Sequence, residues 1–209
     1  MRIKNRWLLG IGVTLLWITA TSSVAMGQAQ HVRWDIISQN FPPASPLTTS
    51  AGGIASAKAN DGSQITLTGS GTFVAPGGPG GGTSNAVTGG GTWTICGPPA
   101  ISPCVSGVSG TYEVTGLVRW ERAPFPPGNP SMPRIDLIDD GVPSTGLAVL
   151  RITYNDGERG ILVVSCTGVT ATPPNLFEGI TASRGFVDYW NRVAPAGGVD
   201  ANRTLFHVR

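Results

Sequence analysis

Few residues of this chain combine the types and the spacing that catalysis or metal binding requires. Its two histidines, His31 and His207, lie far apart in the sequence, and no serine sits in a Gly-x-Ser-x-Gly turn, so no Ser-His-Asp triad is predicted. Neither histidine has a cysteine at zinc-ligand spacing. The glycine-rich segments complete neither Gly-x-Gly-x-x-Gly nor Gly-Lys-Ser/Thr, which argues against nucleotide binding. We therefore expect no catalytic residue, no metal and no cofactor, and the chain is interpreted as a non-enzyme.

Carboxylates are the remaining candidates for catalysis. Glu178 alternates with apolar residues in a predicted strand, and Arg151 interrupts another apolar strand. If both side chains point inward, they form a buried Arg151–Glu178 ion pair, which we predict to be structural. The alternative is that Glu178 is a catalytic cavity carboxylate. The three acids of segment 136–141 miss the Asp-x-Asp-x-Asp-Gly order of a calcium loop, so a solvated turn is predicted there.

Four aromatic residues are the candidates for ligand binding. Each lies on the apolar face of an alternating strand: Phe73, Trp93, Tyr112 and Trp120. Rings in such positions either pack in the core or line a pocket for an apolar or carbohydrate ligand. Both interpretations stay open at this point.

The three cysteines permit a single internal disulfide. Cys96 and Cys104 flank a short proline-rich loop, whereas Cys166 ends an apolar strand pattern. We predict a Cys96–Cys104 bridge and a buried Cys166 thiol. Disulfides persist in oxidising compartments.

Residues 1–27 have the features of a secretory signal peptide. A basic start with Arg2, Lys4 and Arg6 precedes an apolar stretch over 7–18 and small residues suited to cleavage after Gly27. We therefore predict a secreted or periplasmic protein with no membrane span after cleavage. Three of the 14 basic residues lie in this leader, so the 12 acidic residues outweigh the rest, and nucleic acid is excluded as a partner. Among those remaining basic residues arginine far outnumbers lysine, which suggests a bacterial source.

Composition predicts one folded domain over residues 28–209. Charged residues make up 12% of the chain and hydrophobic residues 40%, which excludes coiled coils and charge-driven disorder and suffices for a core. Apolar and polar residues alternate with period two in segment after segment, so the fold class is all-β. One short helix is predicted near the C-terminus, at 186–192.

The turn chemistry predicts an antiparallel meander of about eight or nine strands. Asp-Gly turns at 60–62 and 155–157 indicate two hairpins. The predicted strands are 32–38, 53–59, 63–74, 86–96, 110–121, 146–154, 160–167, 176–183 and 203–208. Gly/Pro-rich loops are predicted at 76–84 and 123–133. A closed barrel and a two-sheet sandwich both accommodate this pattern.

Glycines recur on the apolar faces of three of these strands, at positions 69, 71, 89, 91 and 116. Inward glycines mark a sharp bend of a sheet or the close approach of another group. We interpret them as sites of curvature that let the sheet close. The alternative is that they form the floor of a ligand cleft.

Two functions follow from these observations. The first is a secreted bacterial barrel that binds a small apolar or carbohydrate ligand, or interacts in the cell envelope, without catalysis. The alternative is a barrel enzyme of the cyclase or isomerase type that uses a cavity carboxylate. The interior distinguishes them, because an open cavity that reaches a titratable side chain favours the enzyme. The sequence does not indicate an oligomeric state.

Overall fold

The computed structural model describes residues 28–40, 46–77, 82–100, 104, 106–123, 133–167, 175–195 and 202–209. These residues contain fourteen strands and no helix. The strands are β1 (Gln30–Gln39), β2 (Leu47–Ala51), β3 (Ala55–Lys58), β4 (Gln64–Leu67), β5 (Ser70–Ala75), β6 (Val87–Cys96), β7 (Val108–Ala123), β8 (Arg134–Asp136), β9 (Val142–Tyr154), β10 (Arg159–Cys166), β11 (Gly179–Arg184), β12 (Val187–Tyr189), β13 (Asn191–Arg192) and β14 (Arg203–Val208). The predicted leader 1–27 lies outside the described residues, as do 78–81 and 124–132 of the two predicted loops.

All nine predicted strands are present, and one of them is divided. The predicted strand 63–74 forms β4 and β5, separated at Thr68 and Gly69. Both halves pair with β6, but β4 has β3 as its other neighbour and β5 has β1. The chain bends where its neighbour changes. Tyr112 fills the space beside Gly69, and its hydroxyl donates to the Thr68 carbonyl at 2.8 Å.

Six strands close into a barrel. Starting from β1, each strand pairs antiparallel with the next in the order β1, β5, β6, β7, β9, β14, and β14 pairs again with β1. This ring decides between the barrel and the sandwich in favour of the barrel. Both Asp-Gly hairpins are confirmed, between β3 and β4 and between β9 and β10.

The other strands extend this ring. The strands β10, β11 and β12 continue outward from β9, while β4, β3 and β13 continue from the second half of β6. The strand β2 pairs with β1 and, in parallel, with β8. These extensions give β9 and β10 a broad outward-facing sheet surface, which holds the groove described below.

The predicted helix at 186–192 is wrong, because this segment forms β12 and β13 instead. Gly185 has a φ of +57° and turns the chain into a hairpin, in which Arg184 pairs with Val187. Tyr189 is buried, whereas Phe186 and Trp190 are exposed. A helix this short is marginal in water unless it packs an apolar face on the core, and pairing with β11 and β3 satisfies the backbone better.

The inward glycines allow β5 and β6 to approach each other closely. Gly71 lies opposite Gly89, and a Cβ on Gly71 would lie 2.9 Å from the Gly89 Cα. A Cβ on Gly91 would likewise lie 2.8 Å from the Gly69 Cα. The fully buried indole of Trp34 lies beside Gly69 and Gly71 and fills the space there. Gly89 and Gly91 face the backbone of the neighbouring strand, so the missing side chains permit the close approach rather than form a ligand cleft. The prediction that Gly116 points inward is wrong, because Gly116 lies against the Arg151 guanidinium, which points outward.

The close approach predicts a large cost for a methyl group at Gly89. Gly89→Ala combines a φ of +108° with a clash against β5, whereas Gly157→Ala has a φ of +89° and open space. We expect Gly157→Ala to lower the free energy of unfolding by about 1 kcal/mol and Gly89→Ala by at least about 3 kcal/mol. Urea unfolding followed by tryptophan fluorescence measures both. Equal losses in the two variants would contradict the packing role of Gly89.

Candidate functional site

The four predicted ligand-binding aromatics lie in the core. Phe73, Trp93, Tyr112 and Trp120 are all less than 5% exposed. Trp120 packs edge-on against Phe73, with ring centroids 5.5 Å apart, and lies 4.6 Å from the Phe206 ring. The barrel interior between these rings is therefore filled by side chains. Ligand binding by the four rings stays a prediction and would require the interior to open.

The polar atoms of these rings are bonded within the protein. The Trp93 Nε1 donates to the Thr111 carbonyl at 3.1 Å and lies 3.2 Å from the Asn155 Oδ1. The Tyr112 hydroxyl donates to Thr68, and burial raises the pKa of this phenol well above its usual range. Buried rings with satisfied polar atoms are typical of structural core residues.

The structure does not bring Arg151 and Glu178 together, so the predicted ion pair is wrong. Arg151 lies on the exposed side of β9 and is paired with Ile161 of β10. Glu178 comes just before Gly179, the first residue of β11, which is paired with Ser165 of β10. Along β10 the two positions are therefore separated by four residues. The reason is the phase of β9, in which Leu150 and Ile152 point inward and Arg151 points outward.

Glu178 is buried and bonded to the backbone. Its carboxylate accepts hydrogen bonds from the backbone N–H groups of Thr167 and Thr204, both at 2.8 Å. Burial raises the pKa of Glu178 to about 7, although these bonds and the charge of Arg203 act in the opposite direction. Glu178 thus connects the end of β10 to β14 and is only 6% exposed.

The predicted Cys96–Cys104 disulfide is confirmed. Cys96 and Cys104 are bonded, with Cα atoms 5.7 Å apart, and Cys166 is a buried free thiol. The backbone N–H of Cys104 donates to the Thr66 hydroxyl at 3.1 Å. The bridge therefore fixes one point of its loop on β4.

Burial, followed by the charge of Glu178, raises the pKa of the Cys166 thiol, which makes it a poor nucleophile.

An open groove lies on the outer wall of the barrel, where β7, β9 and β10 run side by side. Its volume is about 520 Å³. This outer-wall groove is lined by Thr115, Arg151, Ile152, Thr153, Arg159, Gly160 and Ile161. Cross-strand register places Arg159 opposite Thr153 and Ile161 opposite Arg151. The polar side chains and the aliphatic chain of Ile161 thus share one face of the sheet.

Arg151 is held in place although it is exposed. A register shift in β7 after Val114 brings Gly116 opposite Arg151. A Cβ on Gly116 would lie only 2.7 Å from the Arg151 Nη2 and 2.8 Å from its Nε, so the guanidinium lies against the glycine. The same Nη2 donates to the Asn85 Oδ1 at 3.3 Å. The β-bulge and the missing side chain together form a seat for this guanidinium.

An exposed aromatic ring lies on the hairpin next to the backbone of Arg159. The carbonyl of Arg159 accepts a hydrogen bond from the Gly185 N–H at 3.1 Å. The next residue, Phe186, is fully exposed on the hairpin between β11 and β12. The groove itself offers guanidinium donors and the hydroxyl groups of Thr115 and Thr153, of which that of Thr115 donates to the Arg151 carbonyl at 3.3 Å.

The lining of the groove carries two positive charges and no carboxylate. Among the described residues neither Arg151 nor Arg159 forms an ion pair. By register the nearest acidic residue on this face is Glu113, which lies opposite Thr153 on β7. The groove can therefore bind groups that accept hydrogen bonds, and a negative charge most strongly.

The histidines and the acidic segment 136–141 have structural partners. His31 is exposed, whereas His207 is fully buried with its Nε2 2.6 Å from the Asp136 Oδ2. Asp140 pairs with Arg33 at 3.3 Å. Where the structure describes the chain, it places no group of three or more His, Cys, Asp or Glu side chains that could hold a metal ion.

Comparison with protein-family models, with curated proteins and with solved structures finds no match for this chain. Over the described ranges no helix has the length and hydropathy of a membrane span. Function is therefore inferred from the residues themselves. The sequence did not reveal the groove, because Arg159 falls between the predicted turn 155–157 and the predicted strand 160–167. The signal that could have revealed it is the outward phase that Arg151 and Arg159 share across the Asp-Gly hairpin.

The buried carboxyl of Glu178 predicts a specific pH dependence of stability. Its pKa is about 7 in the folded protein and near 4.5 when exposed, so folding favours the protonated form. Glu178 makes its full contribution to the free energy of unfolding below about pH 4.5. This contribution is lost as the pH rises to about 7, a change of at most about 3 kcal/mol. We expect Glu178→Gln to remove this decline in urea unfolding measured between pH 4 and 8.

The control for this experiment is Glu113→Gln, which changes an exposed carboxylate on β7. It should keep the wild-type pH profile. A Glu178→Gln profile parallel to that of the wild type would show that Glu178 titrates normally.

Proposed function

We propose that this protein is an exported bacterial β-barrel that binds a carbohydrate on its outer wall and does not alter it chemically. The observation that carries the proposal is the contrast between the two sides of the barrel. The inside is filled by interlocked rings, whereas the outer-wall groove is open and has fixed polar side chains. A ligand of this protein is therefore bound outside the barrel.

The lining of the groove suits a sugar better than an apolar molecule. Thr115, Thr153 and the two arginines offer hydrogen-bonding groups, and Ile161 offers an aliphatic surface. Sugars present hydroxyl groups at their edges and C–H groups on their faces, so both kinds of lining are used. Phe186 adds an exposed ring at the border on which a further sugar unit could stack. An apolar ligand would leave the guanidinium groups without partners.

Export is supported by two observations. The leader 1–27 has the organisation of a signal peptide, and the Cys96–Cys104 disulfide is typical of an oxidising compartment. We assign the protein to the periplasm or the cell exterior, where a carbohydrate-binding role would act on envelope or environmental polysaccharides.

The cyclase or isomerase alternative lacks a carboxylate in an open site. Such an enzyme needs an acid or base within reach of its substrate. Glu178 is enclosed and bonded to two backbone N–H groups, and the residues that line the groove include no carboxylate. We therefore propose binding without catalysis.

Isothermal titration with a panel of oligosaccharides tests this function, and Thr153→Val is the diagnostic variant. Loss of one hydroxyl in the groove should weaken binding about fivefold, because a hydrogen bond contributes about 1 kcal/mol. Thr111→Val, at an exposed position of β7 outside the groove, should bind like the wild type. Mass spectrometry of the recovered saccharide should show it unchanged.

Two results would overturn this proposal. One is the absence of binding heat for every saccharide in the panel. The other is an equal loss of affinity in Thr153→Val and Thr111→Val, which would place the binding site elsewhere.

A further inference from the structure

The two arginines of the outer-wall groove are placed to act on one group. Arg151 lies opposite Ile161 and Arg159 lies opposite Thr153, so the arginines are diagonal neighbours on antiparallel strands. Such neighbours are about 7–8 Å apart, a separation that long side chains bridge easily. The Arg151 guanidinium lies over Gly116 on the β7 side of β9, and Arg159 lies on β10 at the other side, so an anionic group lying across β9 is placed between the two arginines.

The acidic residues near the groove do not neutralise these arginines. Asp156 and Glu158, on the adjacent hairpin, both pair with Arg184, the latter at 2.9 Å. Arg184 lies on the opposite side of the sheet, over the rings of Trp93 and Tyr154. Asp156 and Glu158 therefore do not neutralise the positive charge of the groove, and the nearest other acidic residue by register is Glu113 at its edge.

The seat of Arg151 favours binding of a fixed planar anion. The guanidinium is held against Gly116 and by the Asn85 side chain. A side chain that is already ordered loses less conformational entropy when it binds. The planar guanidinium matches the two oxygens of a carboxylate, with which it forms two parallel hydrogen bonds.

We propose that the carbohydrate bound by this groove is acidic and that its carboxylate is held between Arg151 and Arg159. This inference rests on the proposed function and adds the class of the ligand, a uronic-acid-containing saccharide. The hydroxyls of Thr115 and Thr153 bind the sugar that carries the acid. Glu113 at the rim excludes a second negative charge on its side.

The matched ligands for the test are oligogalacturonate and its methyl ester, in which each carboxylate loses its charge and gains a methyl group. We expect oligogalacturonate to bind at least about tenfold more tightly than the ester, since a hydrogen bond to a charged group contributes about 1.5–3 kcal/mol. Raising the ionic strength should weaken the acid form selectively. Arg151→Gln and Arg159→Gln should each remove most of the preference, so that each variant binds the acid and the ester with similar affinity.

Two further variants test separately the position of the Arg151 guanidinium and the charge at the edge of the groove. Gly116→Ala keeps every charge but pushes the Arg151 guanidinium from its seat, so it should lose affinity for oligogalacturonate while its melting temperature stays close to that of the wild type. Glu113→Gln should bind the acid form more tightly. The control is Arg119→Gln, which removes an exposed arginine of β7 that pairs with Glu121, and it should bind normally.

The outcomes distinguish this inference from the proposed function. Equal affinity for the acid and the ester would overturn the proposal that the ligand is acidic, while the proposal that the protein binds a carbohydrate would stand. Binding of an oligosaccharide from a sulfated galactan, which carries no uronate, with no binding of oligogalacturonate, would overturn the carboxylate assignment. Wild-type affinity in Gly116→Ala would overturn the role of the seat. If neither ligand nor any other saccharide binds, both proposals fail.

Discussion

The close approach of β5 and β6 beneath Trp34 is the constraint on which the rest of the structure depends. A ring of six strands must curve tightly, and side chains at the paired glycines would hold the two backbones apart. Once the ring is closed, its narrow interior is filled by Trp34, Phe73, Trp120 and Phe206. A small barrel with a packed interior has no room for a ligand. The strands that continue beyond the ring widen the outer wall, which is where the proposed binding site lies.

The sequence predicted the local structure of this fold well. Period-two alternation located nine strands, Asp-Gly turns located two hairpins, and loop length identified the Cys96–Cys104 bridge. The choice between barrel and sandwich needed the pairing of strands that are distant in sequence, such as β1 with β14, and no local pattern encodes it. The missed strands β2, β8, β12 and β13 are two to five residues long, too short for a reliable alternation.

The site was harder to predict, because burial gives the same signal for core and ligand-binding rings. Trp93 and Tyr112 were identified correctly as inward-facing, but both rings pack against another core ring, that of Tyr154. Arg151 was assigned to the wrong side of β9, since both faces of that strand read as apolar. Its seat depends on a register shift in β7, and a shift of this kind is a property of two paired strands rather than of either sequence alone.

Closure of the ring by β1 and β14 joins segments about 170 residues apart. The barrel cannot be completed on the ribosome while the last strand is still being made or lies in the exit tunnel. Because β14 pairs with β1 on one side and with β9 on the other, both of those strands keep an unpaired edge until β14 is added, and the ring closes only with that step.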